Sequence, residues 1–123
     1  MNIISSRMHG IIDYLLILFL VASPTLFKME GALCSITYTL AAVHLLLTIL
    51  TNFELGLVKL IPFRIHGLLE LVVAIVLGCL SFWFYKNANV TGFYFYMFLA
   101  IAIMIVFILT DFKSSPANVK NVN

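Results

Sequence analysis

Four stretches of this chain, each close to the length needed to cross a lipid bilayer, hold almost no charge. They run from about Gly10 to Phe27, Ala32 to Thr51, Gly67 to Tyr85 and Asn89 to Thr110. Only Asp13 interrupts the first and only Glu70 the third; the second and fourth carry no formal charge. A helix rising 1.5 Å per residue needs roughly 20 apolar residues to span the hydrocarbon core. Backbone groups in lipid must be paired within the segment, so runs of this kind are helices. The strands of a membrane barrel would alternate in polarity, and these runs do not. Of the 123 residues, 63% are hydrophobic and 10% charged. Soluble domains carry about 25% charged residues, so an integral membrane protein is the class this composition allows.

The net charge of +2 comes from scattered basic residues. They form no basic patch interleaved with aromatics, which excludes a nucleic-acid partner and leaves the bilayer as the expected one. Arg7 ahead of an apolar run resembles the start of a signal peptide, with Val21-Ala22-Ser23 as its cleavage site. Asp13 would interrupt the apolar core of such a signal, so the segment is expected to be a structural span.

Four spans place both termini on one side. Arg7, Lys59, Arg64, Lys113 and Lys120 fall there, against Lys28 and Lys86 opposite. This bias predicts cytoplasmic termini in the cell membrane. Trp83, Tyr85, Tyr94 and Tyr96 fit an aromatic belt at the far interface. The apolar linker from Leu55 to Phe63 is expected along the near interface, with Pro62 starting the third helix. The tail from Ser114 reads as polar and frayed.

The chain also repeats itself. Arg7-Met8-His9-Gly10-Ile11-Ile12-Asp13 returns as Arg64-Ile65-His66-Gly67-Leu68-Leu69-Glu70, 57 positions later. Leu50-Thr51-Asn52-Phe53-Glu54 returns as Leu109-Thr110-Asp111-Phe112-Lys113, 59 positions later. The expected architecture is a single all-α membrane domain over 1–123. Repeat 1 covers about 7–54, repeat 2 about 64–113, and 114–123 is the tail. A unit with an even number of spans keeps one orientation when duplicated. Two tandem hairpins related by a pseudo-twofold axis along the membrane normal follow.

Helices in lipid associate through small and polar residues. The second span has a stripe of Cys34, Thr37, Ala41, His44, Thr48 and Thr51 at helical spacing. The third has Gly67, Glu70, Ala74, Gly78 and Ser81, and the first Gly10, Asp13, Ile17, Val21 and Pro24. The fourth is the most uniformly apolar, with Ala100 and Ala102 its main small residues, and is expected to face lipid most. Cys34 and Cys79 read as small buried hydrophobes, and whether they ever pair stays open.

Ser23-Pro24-Thr25 and Ser81-Phe82-Trp83 lie at matching places near the far ends of the first and third spans. In this the chain resembles the SPW-repeat membrane proteins, built from two-helix units with a Ser-Pro-Trp motif in the first helix of each. The resemblance covers roughly residues 7–112, as a degenerate two-unit member. The first copy lacks the Trp and the second the Pro. It implies the fold and supplies no activity.

His9 and Asp13, like His66 and Glu70, are four residues apart and share a helix face. Asp13 lies roughly 9 Å inward of Arg7, and His44 roughly 12 Å inward of Asn52. His44, Asp13 and Glu70 are therefore expected to meet between the helices, with Ile103 the unmatched counterpart of His44. His9 and His66 should lie at one level near the cytoplasmic surface. One reading is a structural network, with the carboxylates near helix N-termini where the dipole favours them. It makes the chain a structural or accessory membrane protein with no cofactor, its partner a second copy or another membrane protein. The alternative is a proton- or metal-ion-handling protein in which His9, Asp13, His44, His66 and Glu70 are ligands suited to Zn²⁺, Mn²⁺ or Fe²⁺. A haem held between His9 and His66 is the third, and a quinone or lipid-headgroup enzyme the fourth. No nucleophile with its base, and no phosphate loop, points to an enzyme.

Overall fold

The structure is a computed structural model that describes residues 2–115. Among these it has four long helices: α1 (Ser6–Leu26), α2 (Gly31–Ile49), α3 (Phe63–Lys86) and α4 (Val90–Leu109). Each is long and apolar enough to cross a membrane, which makes the chain an all-helical, multi-pass membrane protein. The surface agrees with that environment. Leu15, Leu18, Leu46, Val72, Ile75, Val76, Phe98 and Ile105 are each at least half exposed along the helix flanks, where lipid takes the place of water.

Local chemistry explains the helix ends. Ser5 caps α1, its hydroxyl accepting from the Met8 amide at 3.2 Å. Asn89 caps α4 in the same way through the Gly92 amide at 2.9 Å. Lys28, between α1 and α2, and Gly31, which opens α2, take positive φ, and between α3 and α4 Ala88 does. Each turn reverses the chain within a few residues. The most extensive helix contacts are accordingly α1 with α2 and α3 with α4. Pro62, with φ of −57°, leads into α3.

Two short parallel pairings tie the helix ends together. β1 (Thr51–Asn52) lies beside β2 (Ile61–Pro62), with Thr51 opposite Ile61. Ile4, ahead of α1, pairs with Thr110, just past α4. The linker between them keeps Leu57 and Leu60 exposed.

The interior departs from the sequence expectation at several points. In α1 the buried residue between Ile17 and Pro24 is Leu20; Val21 is half exposed. The 3.6-residue period allows either, and the larger Leu20 joins the central core. Tyr96 is not part of an interfacial belt. It is fully buried, and its hydroxyl hydrogen-bonds Thr37 at 2.7 Å. Trp83, Tyr85 and Tyr94 do lie exposed. Helix α4 is not the most lipid-exposed: 33% of its apolar window is buried against 28% for α2. It buries large side chains, Phe95, Tyr96, Leu99 and Ile103, instead of a small-residue stripe. Ser114 and Ser115 are docked and not frayed. The Ser6 amide donates to Ser114 Oγ at 2.8 Å, and buried Ser115 donates to the Asn52 carbonyl at 3.1 Å. The remainder of that tail, with Lys120, lies outside the described residues. Last, α1 and α3 begin four residues before the apolar runs do. Asp13 and Glu70 therefore sit about 10 Å into their helices, beyond the first turn where the helix dipole acts.

Contrary to the expectation of two buried cysteines, Cys34 is only half-buried and Cys79 is exposed, both as free thiols, with Leu33 and Leu77 buried nearby.

Candidate metal centre

One face each of α1, α2 and α3 brings the predicted residues together. His9 and Asp13 project from α1, His66 and Glu70 from α3, and His44 from α2, all buried. The pairing crosses between helices. His9 Nε2 stands 3.1 Å from Glu70 Oε2 and 3.4 Å from Asp13 Oδ1. His66 Nε2 stands 3.1 Å from Asp13 Oδ2 and 3.4 Å from Glu70 Oε1. His44 reaches the edge of the group, its Nε2 3.6 Å from Asp13 Oδ1. Among the described residues the ionic neighbours of both carboxylates are these histidines, and no Lys or Arg comes within pairing distance.

The opposite ring nitrogens are held by threonines. His9 Nδ1 is 2.8 Å from Thr110 Oγ1, and His66 Nδ1 is 2.7 Å from Thr51 Oγ1. Each hydroxyl donates its single proton to a carbonyl one turn back, Thr110 to Val106 and Thr51 to Leu47, both at 2.6 Å. A hydroxyl has one proton to give. Toward the histidines these threonines can therefore only accept. The hydrogen-bond network thus assigns the proton to Nδ1 on both rings. In the neutral imidazole, Nε2 is then a bare lone pair aimed into the cluster.

Those lone pairs find no ordinary partner. His9 Nε2, His66 Nε2, His44 Nε2, Asp13 Oδ2 and Glu70 Oε2 are all buried with no atom in hydrogen-bond geometry. One ligand atom from each of His9, Asp13, His66 and Glu70 can be chosen so that all lie within 4.8 Å of one another. Ligands about 2.1 Å from one ion stand about 3.0–3.4 Å apart. The shortest nitrogen–oxygen separations, 3.1 and 3.4 Å, fall at that spacing, each histidine approaching a different oxygen of the two carboxylates.

Aromatic rings close the end of the bundle over the cluster. Phe63 and Phe112 pack against the His9 ring at 5.2 and 5.8 Å, and Phe53 and Phe63 against His66 at 6.2 and 5.9 Å. The two glycines that follow the histidines make room for this seal. A Cβ on Gly10 would strike the Phe53 ring, and one on Gly67 the Phe112 ring.

The structure brings together all five residues singled out in the sequence. Sequence reasoning gave no role to Thr110, and it placed Thr51 only in a helix stripe. The signal was present in the repeated Leu-Thr-Asn/Asp-Phe segments, each carrying one histidine's partner and one sealing ring. No protein-family model, curated protein or solved structure matches the chain.

Proposed function

We propose that this protein holds one divalent transition-metal ion inside a four-helix membrane domain, with His9, Asp13, His66 and Glu70 as ligands and His44 beside them. The observation that carries the reading is the threonine-assigned tautomer: it leaves two imidazole lone pairs converging with two carboxylates in a buried interior. Ligating histidines characteristically donate the other ring N–H to an outer partner, and Thr51 and Thr110 fill that part. Charge points the same way. Two carboxylates away from water are costly without cations, and one divalent ion neutralises both. Two nitrogens and two carboxylates suit Zn²⁺, Mn²⁺ or Fe²⁺. The Nε2 atoms of His9 and His66 face the same two carboxylates, so each carboxylate is shared between two rings, the convergence that a single ion would use. The edge-to-face His9 and His66 rings, with centroids 5.4 Å apart and the same two carboxylates against both Nε2 atoms, favour an ion over a porphyrin.

The architecture that serves this site is two tandem hairpins, residues 7–54 and 64–113, related by a pseudo-twofold axis along the membrane normal. Support comes from matched contacts: Ile4 with Thr110 and Ile61 with Thr51, and His9 with Thr110 and His66 with Thr51. Thr37 and Tyr96, 59 positions apart, bond to each other as residues near such an axis would. Arg7, Lys59, Arg64 and Lys113 against Lys28 and Lys86 argue for cytoplasmic termini in the cell membrane. Kinship with the SPW-repeat proteins, and assembly with a second copy or another membrane protein, belong to the same proposal.

The test is metal analysis of the protein in lipid nanodiscs, purified and then titrated with Zn²⁺, Mn²⁺ and Fe²⁺. One equivalent of one of these ions per chain is expected, lost in the His9→Ala, His66→Ala double variant. Failure of the wild-type protein to take up any of the three would overturn the reading.

A further inference from the structure

Beside the cluster, between α1 and α4, lies a cavity of about 70 Å³. Ile12 and Leu16 of α1 and Ala102, Ile103 and Val106 of α4 form its walls, and Asp13 and Glu70 face into it. We infer that the metal site keeps one coordination position open toward this cavity, where a small uncharged ligand of the diatomic-gas class binds after entering from the bilayer. This rests on the metal reading above.

The cavity has an origin in the sequence. His44 and Ile103 occupy corresponding places in the two copies, 59 positions apart. On the α2 side His44 reaches to within 3.6 Å of Asp13. On the α4 side Ile103 has no group to extend toward the carboxylates, and the space stays free. A cavity of roughly 10–15 Å³ by this measure already holds a water, so the space has room for a molecule of a few heavy atoms.

Its surroundings select what comes in. Apart from the two carboxylates, every lining side chain is aliphatic, which disfavours an anion or a large polar molecule. The aqueous end of the cluster is covered by Phe53, Phe63 and Phe112. The opposite direction is blocked by the packed core of Leu20, Leu99 and Tyr96. Ile12, Leu16, Ala102 and Val106 are only half-buried, so the cavity wall reaches the lipid-facing surface. The approach that remains is lateral, from hydrocarbon, in which small uncharged molecules dissolve. Structural metal sites are closed, whereas sites that work on a ligand keep a position open. Here α4 leaves that position unfilled.

The test uses nanodisc-embedded protein loaded anaerobically with Fe²⁺, quantified for iron, then exposed to nitric oxide and examined by EPR. Wild type should bind one iron per chain and give a high-spin iron-nitrosyl signal accounting for most of it. Ile103→His, which extends a side chain toward the carboxylates, should keep the iron and lower the signal at least tenfold. Ile103→Phe fills the space without adding a ligand and should do the same if the histidine variant misfolds. Leu46→Phe, on the exposed flank of α2 away from the cluster, should leave the signal unchanged. Iron bound without any nitrosyl in wild type, or a full nitrosyl signal in both Ile103 variants, overturns the open position alone. Absence of bound iron, with Zn²⁺ and Mn²⁺ also refused, overturns the metal reading and this inference with it.

Discussion

At the scale of single residues, the cluster depends on two hydroxyls as much as on its histidines and carboxylates. Thr51 and Thr110 each sit in a helix-terminal turn where the hydroxyl is committed to the carbonyl four residues back. That commitment turns a group able to donate or accept into an acceptor alone, and it orients the histidine beyond it. Thr51→Val keeps the shape and removes the acceptor. It should weaken metal binding by about 10- to 100-fold, the usual effect of losing an outer partner of a ligating histidine. Thr51→Ser should restore most of the affinity. Competition against a chromophoric chelator measures both, and circular dichroism should show helix content unchanged. His44→Leu tests the edge of the group: with a single 3.6 Å approach to Asp13, it should change affinity far less than His9→Ala.

At the scale of elements, the helices meet through a few close approaches that side-chain size decides. Gly67 faces the Phe112 ring so tightly that any Cβ would overlap it, while Gly78, on the same helix, has nothing within 4 Å of an added Cβ. Gly67→Leu should therefore destabilise by about 1–3 kcal/mol through overpacking. Gly78→Ala should be neutral or stabilise by up to about 1 kcal/mol, since alanine is the better helix former. Unfolding in mixed micelles reads both. At the far end, the Thr37–Tyr96 bond joins α2 to α4 in the interior. Hydrogen bonds between membrane helices average about 0.6 kcal/mol, and a double-mutant cycle with Thr37→Val and Tyr96→Phe should return a coupling of that size.

At the scale of the whole molecule, the cluster joins α1, α2 and α3 near one end of the bundle, and the paired segments at Ile4–Thr110 and Thr51–Ile61 hold the helix termini around it. A ligand bound by the folded state alone stabilises that state by mass action. Free metal at 100 times its dissociation constant should add about 2.7 kcal/mol. The melting temperature should rise with metal and fall with chelator in wild type, and respond to neither in the His9→Ala, His66→Ala variant. If the carboxylates serve only to fix helix packing, chelator should leave the melting temperature where it was. Topology is read separately. A C-terminal reporter active only outside the cytoplasm should stay silent, and activity there would reverse the orientation argued from the basic residues.

The sequence by itself determined four helices, their approximate limits, their environment, and the sharing of a face by His9 with Asp13 and by His66 with Glu70. These are local properties: hydrocarbon thickness sets the length of an apolar run, and 3.6 residues per turn sets which side chains align. Periodicity alone could not choose between Leu20 and Val21, because both lie near the same helix face and only the fit against α2, α3 and α4 separates them. Nor could hydropathy rank α4, whose buried face is built from large apolar side chains instead of small ones. The extra first turn of α1 and α3 lay hidden because Arg7 with His9, and Arg64 with His66, interrupt the apolar runs there. Within the site, tertiary structure alone decided that His9 meets Glu70 and His66 meets Asp13. It alone set the tautomers through residues about 100 and 15 positions away, and left a space beside Ile103. Convergence between helices depends on crossing geometry and on the volumes packed between them, which no single segment of the chain contains.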